Sequence, residues 1–84
     1  MGFMKRIEVN PKVMVGKPVI RGTRVTIDAI LERLAQGWTF EEILEDYPRI
    51  TKEDITAAIR YAGNIVRGED IIPVIKGKYA ISHR

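Results

Sequence analysis

The chain has 84 residues, no cysteine and a formal net charge of +3. A chain this short supports a single core, and the absence of cysteine excludes disulfides, thiol catalysis and cysteine-ligated zinc. No run approaches the roughly 18 apolar residues of a membrane span, and the first residues lack the apolar stretch of a signal peptide, so we expect a cytoplasmic protein.

Charge is unevenly distributed along the chain. Residues 1–26 carry six Lys/Arg and one acidic residue, whereas residues 27–62 carry four basic and eight acidic residues. Residues 63–84 carry four basic and two acidic residues. A basic arm therefore precedes an acidic body, and we expect the two to have different partners, with nucleic acid favoured for the arm.

The basic arm is predicted to form a β-ribbon. Apolar and polar residues alternate over residues 6–9, and residues 19–25 read as two short strands around Gly22. Lys17, Arg21 and Arg24 fall at the spacing of a ribbon whose side chains enter a DNA groove or bind phosphates. Alternatively, these cations only protect exposed ribbon edges from aggregation.

Three helix starts follow the ribbon. Thr26, Thr39 and Thr51 each follow an apolar residue and precede another one by four positions. A threonine in this setting caps a helix with its hydroxyl, and the flanking apolar pair closes over the cap as a hydrophobic staple. Glu42 and Asp54, each three residues after its threonine, stand where a capping box places its acid. We therefore predict three helices that begin at these threonines.

The helix ends and the core also follow from the sequence. Gly37 is predicted to end the first helix, Pro48 the second and Gly68 the third, and apolar residues recur between these limits at helical spacing. Alanine in place of Leu34 or Ile59 should cost about 2–5 kcal/mol of stability. The predicted core consists of Ile7, Val19, Ile27, Ile30, Leu31, Leu34, Trp38, Ile43, Leu44, Ile55 and Ile59.

The second and third helices, joined by a short connection, have the layout of a helix-turn-helix. A plain helical bundle with solvated polar residues is the alternative. In the helix-turn-helix interpretation, the outward side of helix three and the connection before it would face DNA. The predicted contacts are Lys52, Thr56 and Arg60, with Tyr61 at the edge and Arg49 near the DNA backbone.

Two acidic residues, Glu53 and Asp54, stand in the first turn of helix three and would repel phosphates. The ribbon has no such defect, so we favour its cations over helix three as the electrostatic anchor. This interpretation requires that the ribbon arginines are not locked into intramolecular pairs with the acidic helices.

No set of residues predicts catalysis. The only histidine, His83, stands next to the last residue, and a lone terminal histidine is neither a metal site nor a credible base. Adjacent carboxylates such as Glu41 and Glu42 diverge by about 100° on a helix. We therefore expect no enzyme, no metal and no cofactor.

Several motifs together resemble one known family. They are the run G-K-P-V-I-R-G-T-R-V at 16–25, Gly37-Trp38, Tyr47-Pro48 and T-K-E-D-I at 51–55. Over roughly residues 5–66 the chain resembles the family catalogued as domain of unknown function 433, which is similar to VapB-type antitoxins. Those are homeodomain-like helix-turn-helix proteins, often encoded beside a toxin with a PIN-like ribonuclease fold. The resemblance implies a homodimer that binds its own promoter and neutralises such a toxin.

We thus expect a mainly α protein. Residues 1–67 form one domain, a three-helix, homeodomain-like helix-turn-helix core with a short N-terminal β-hairpin, and residues 68–84 form a C-terminal tail. The expected function is that of a DNA-binding antitoxin and transcriptional autoregulator of a type II toxin–antitoxin pair. The alternative is a protein–protein adaptor that never binds nucleic acid.

The tail has an apolar part followed by a basic part. It could order on the toxin, where a terminal basic residue would block the acidic metal site of a PIN-like nuclease. Equally, its apolar part could pack on this chain's own core or on a dimer mate. The residues concerned are Ile71, Ile72, Val74, Ile75, Lys76 and Lys78.

Overall fold

The computed structural model describes residues 5–12 and 14–68. These residues form a two-stranded ribbon and three helices, which confirms the predicted mainly α fold with an N-terminal hairpin. Within the described part of the chain, no helix has the length and hydrophobicity needed to cross a bilayer. The elements are β1 (Ile7–Val9), a 3-10 turn (Met14–Gly16), β2 (Pro18–Ile20), α1 (Ile27–Ala35), α2 (Phe40–Asp46) and α3 (Lys52–Val66).

The ribbon is built differently from the predicted pair of strands around Gly22. Strand β2 pairs in antiparallel register with β1, so that Ile7 lies opposite Ile20. Beyond Gly22 the chain makes a single bridge, between Val19 and Thr26, instead of a second strand. The reason is local: Thr26 is already the N-cap of α1, so the chain leaves the ribbon after one bridge.

The three predicted helix caps are confirmed. Thr26, Thr39 and Thr51 are extended residues whose hydroxyls accept hydrogen bonds from first-turn N–H groups. Glu42 accepts from the Thr39 N–H at 2.8 Å, and Asp54 accepts from the Thr51 N–H at 2.9 Å, which completes two capping boxes. Local side-chain chemistry therefore fixes where each helix begins.

The core lies where the ribbon and the three helices meet. The apolar residue four positions after each capping threonine is fully buried: Ile30, Ile43 and Ile55 are all 0% exposed. Most of the predicted core is confirmed, either as buried residues or as partly buried residues packed against them. The buried cluster consists of Ile20, Ile27, Ile30, Ile43, Ile50, Ile55, Ala58 and Tyr61.

Two predictions on α3 are wrong. Ile59, expected in the core, is 42% exposed, and Tyr61, expected at the outer edge, is only 9% exposed. The buried stripe runs through Asp54, Ala58 and Tyr61, which share one side of the helix at i, i+4 and i+7. Ile59 lies about 100° away from Ala58 on the helix circumference, and therefore faces outward.

Candidate nucleic-acid interface

Three of the predicted DNA-contacting residues lie together on the outer face of α3. Lys52, Thr56 and Arg60 are all exposed, and their four-residue spacing places them along one side of the helix. Arg49 is exposed in the short turn before α3. Ile59, which sequence reasoning assigned to the core, is exposed beside Thr56 and Arg60 on this side. The face therefore presents two cations, a hydroxyl and an aliphatic side chain, together with the exposed carboxylate of Glu53.

One of the two acids in the first turn of α3 is neutralised within the protein. Asp54 is 7% exposed, and one of its carboxylate oxygens accepts from the Thr51 N–H. The other oxygen pairs with the Arg6 guanidinium at 3.1 Å. A buried carboxylate satisfied by an N–H group and an arginine presents little negative charge to solvent. Only Glu53 of the two acids remains exposed.

Arg6 is the contributor that sequence reasoning missed. Its ion pair with Asp54 holds the start of β1 against the start of α3, and it lines a groove of about 760 Å³ with Lys52, Thr56 and Arg60. Arg6 thus brings the start of the ribbon to the α3 face, although none of the predicted ribbon cations lines this groove. No local signal marks Arg6, because its partner lies 48 residues away in the chain.

The three predicted ribbon cations make different contacts. Lys17 forms an exposed ion pair with Asp28 of α1 at 3.3 Å, while Arg21 donates to the Lys5 carbonyl oxygen at 3.2 Å. Within residues 5–12 and 14–68, Arg24 makes no hydrogen bond or ion pair. Arg21 and Arg24 are therefore not paired with the acidic helices, whereas Lys17 and, at the start of the ribbon, Arg6 are.

Asp28 receives two stabilising contacts in its charged form. A hydrogen bond with the Thr26 side chain, together with the nearby Lys17 ammonium, lowers the pKa of Asp28 below its usual value. The pair is exposed on both sides, so its contribution to stability is small. Lys17 thus has a weak structural role away from the α3 face.

Arg24 and Arg49 share a second groove. It has a volume of about 600 Å³ and lies between the turn at Gly22 and the turn that precedes α3. Glu8 and Asp46 also line it, so the two arginines are balanced by two carboxylates. Asp46 is in turn paired with Arg33 at 2.9 Å, which leaves this groove with a modest positive balance.

Arg33 organises the turn from which Arg49 projects. Its guanidinium lies 5.0 Å from the centre of the Trp38 ring and 4.7 Å from that of Tyr47. It also donates to Asp46 at 2.9 Å. Stacking and pairing of this kind stabilise an arginine in a partly buried place. Arg33 thereby ties the end of α1 to the end of α2 and fixes the connection that leads into α3.

The remaining predicted residues lie outside the described part of the chain. They are the tail residues Ile71, Ile72, Val74, Ile75, Lys76 and Lys78, and His83. Among the residues that the structure does describe, no group of three or more His, Cys, Asp or Glu side chains is placed to hold a metal ion.

Comparison with known proteins gives one family. A family model described as "Protein of unknown function (DUF433)" matches residues 7–62. The chain is 38% identical over 60 residues to the uncharacterized protein y4eO of Sinorhizobium fredii, a match that covers 70% of this chain and 27% of that protein. An uncharacterized protein of Archaeoglobus fulgidus is 65% identical over 26 residues, which make up 31% of this chain and 72% of that protein.

A solved structure shares the fold. The crystal structure of a DUF433 member protein from Anabaena variabilis superimposes with a TM-score of 0.69 at 32% sequence identity, over 75% of this chain and 62% of that chain. This chain thus spans about a quarter of the Sinorhizobium protein and under two thirds of the Anabaena chain. Since the family model covers most of the described residues, the chain belongs to the DUF433 family of proteins of unknown function.

Proposed function

We propose that this chain is a DNA-binding antitoxin and transcriptional autoregulator, which acts in the cytoplasm as a homodimer on its own promoter. The observation that carries the DNA-binding part is the Arg6–Asp54 ion pair. It neutralises one of the two acids in the first turn of α3 and brings the ribbon to the edge of the face formed by Lys52, Thr56 and Arg60.

Four exposed residues of this face have a chemistry suited to DNA, although the exposed Glu53 beside them does not. Arg60 can donate two hydrogen bonds to O6 and N7 of a guanine in the major groove. Thr56 and the neighbouring Ile59 suit the methyl group of a thymine. Lys52, at the start of the helix, is placed for a phosphate, which positions the protein without reading sequence.

The second groove would flank these base contacts. Arg24 and Arg49, exposed at its edges, would bind phosphates beside the base pairs read by α3. Lys17 is not part of this proposal, because it pairs with Asp28. Two copies of the chain would read half-sites about 34 Å apart, which is one helical turn of DNA.

The toxin part of the proposal rests on the family resemblance. A nuclease of the PIN-like class holds its metal with acidic residues, and a basic segment is the natural complement to that site. In this chain Lys76 and Lys78 supply such a segment. Co-expression with a PIN-like ribonuclease encoded beside this chain tests it: growth should be restored by the wild type, and less by a variant with both lysines changed to glutamine.

The DNA-binding part is tested by titrating the protein with its own upstream DNA at several salt concentrations. The wild type should show a steep decrease of the association constant with salt, because each bound phosphate releases counterions. Removal of one contacting cation should flatten the slope by about one unit. Absence of binding at low salt would instead favour an adaptor whose basic surface docks on an acidic protein.

A further inference from the structure

An apolar groove lies on another side of the molecule, where β2, α1 and α3 meet. Its volume is about 210 Å³. Ile27 and Leu31 of α1 form one wall, and Tyr61, Ala62 and Ile65 of α3 form the other. The groove has no part in the proposed DNA contacts, since none of the residues of that face lines it.

The groove lies where the buried face of α3 becomes exposed near the end of the helix. Ala58, Tyr61 and Ile65 share one face of α3 at i, i+3 and i+7, yet they are 0%, 9% and 49% exposed respectively. Helix α3 has 15 residues, whereas α1 has nine. At about 1.5 Å per residue, α3 is longer than α1, and Ile65 in its last turn is only about half covered by the described residues.

The size of the groove indicates what fits it. Small-molecule sites usually measure about 300–1,000 Å³, so a groove of about 210 Å³ is better suited to a few aliphatic side chains from a peptide segment. Val66, the residue after Ile65, is also exposed, at 84%. A contiguous apolar surface of this kind marks a place of contact.

The chain itself supplies such a segment within reach. Helix α3 ends at Val66, and Gly68, two residues later, has a φ of +79°, the left-handed conformation that turns the chain away from a helix axis. The wall residues Tyr61 to Ile65 lie three to seven residues before Gly68, or about 5–10 Å along the axis. Ile71, three residues after Gly68, can reach about 10 Å.

We propose that the apolar segment 71–75 of the same chain binds in this groove and completes the core beside Ile65. Only two residues, Glu69 and Asp70, separate Gly68 from the segment. So short a connection gives the segment an effective concentration of about millimolar or higher at the groove, which favours it over a separate partner. The segment would then present the following Lys76 and Lys78 at the protein surface.

The test uses the full-length protein and a spin label. Because the chain has no cysteine, Lys17→Cys, at the rim of the groove, provides a single labelling site. Its nitroxide should broaden the methyl signals of Ile71 and Ile72 strongly. A matched label at Glu45→Cys, on α2 and outside the groove, should broaden them far less. Equal or absent broadening from the two labels would overturn the proposal.

Two further experiments test whether the segment in the groove belongs to the same chain and whether its apolar side chains hold it there. In a mixture of spin-labelled chains at natural abundance and unlabelled, isotope-enriched chains, broadening should vanish; if it persists, the groove binds the tail of a second copy and the proposal is wrong. Ile72→Asp should abolish the broadening, whereas Ile59→Asp, on the outer face of α3, should leave it unchanged. No DNA is present in any arm, so the result is independent of the DNA-binding proposal.

Discussion

The two halves of α3 differ in what surrounds them. In the first half, Asp54, Ile55 and Ala58 are buried against the ribbon and the other helices, and the outer side carries exposed cations. In the second half, Ile65 and Val66 are exposed apolar residues. One helix with a single start signal thus combines a charged surface, suited to a polyanion, with an apolar surface that requires a cover.

The difference arises from helix length rather than from helix propensity. Helices α2 and α1, with seven and nine residues, are much shorter than α3 with 15. Arg6 adds to the cover of the first half by pairing with Asp54. In the second half Asn64 is buried and bonded to Arg67, whereas Ile65 is half-exposed; segment 71–75 is its proposed cover.

The largest expected effect is a loss of stability from a substitution in the first half of α3. Ile55→Ala removes a side chain that is 0% exposed and should lower the free energy of unfolding by about 2–5 kcal/mol. Ile59→Ala is the matched control, because Ile59 stands four residues later and is 42% exposed; it should change stability by no more than about 0.5 kcal/mol. Urea denaturation of both variants measures the difference, and equal losses would contradict the assignment of the buried stripe.

The same two residues show which features a sequence can predict. Capping threonines act within four residues, so Thr26, Thr39 and Thr51 were identified correctly from local pattern alone. The buried side of α3 was predicted only in part: Ile55 is buried as expected, together with Ala58 and Tyr61, whereas Ile59, which continues the same helical spacing from Ile55, is exposed. Only the position of neighbouring elements decides which of these residues is buried.

For the same reason, only part of the candidate site could be predicted from the sequence. The spacing of Lys52, Thr56 and Arg60 is local and predicted a common face, which the structure has. The partner of Asp54 is Arg6, 48 residues away, and the partner of Lys17 is set by how the ribbon packs on α1. Contacts between distant segments determine which charges remain available, and no short pattern encodes them.

A second prediction tests how the ribbon is joined to α3. Asp54→Asn keeps the shape of the side chain but removes its negative charge. That charge pairs with Arg6 and strengthens the hydrogen bond from the Thr51 N–H in the capping box. We expect a loss of about 1–3 kcal/mol in the free energy of unfolding, the usual effect of disrupting a buried, charge-assisted hydrogen bond. Glu53→Gln, next to it but exposed, should stay within about 0.5 kcal/mol. Similar losses in both variants would mean that general charge, not this ion pair, stabilises the start of α3.

A third prediction compares the contributions of Arg60 and Lys17 to DNA binding. Arg60→Ala should reduce the slope of log association constant against log salt concentration by about one unit and weaken binding. Lys17→Ala should leave the slope unchanged, because Lys17 lies at the apolar groove and pairs with Asp28. Fluorescence anisotropy on the upstream DNA measures both. If Lys17→Ala flattens the slope and Arg60→Ala does not, the ribbon and not α3 is the anchor.

The smallest expected effect concerns Tyr61, where the two halves of α3 meet. Burial raises the pKa of the Tyr61 hydroxyl above its ordinary value of 10.0. Above about pH 10 the unfolded chain releases this proton while the folded chain retains it, so stability is intact below that pH and falls as the pH rises toward the folded pKa. Urea midpoints measured from about pH 8 to about pH 11 should therefore fall more steeply for the wild type than for Tyr61→Phe. Because Tyr47 and Tyr79 are present in both proteins, parallel curves would show that Tyr61 is as accessible to solvent when folded as when unfolded.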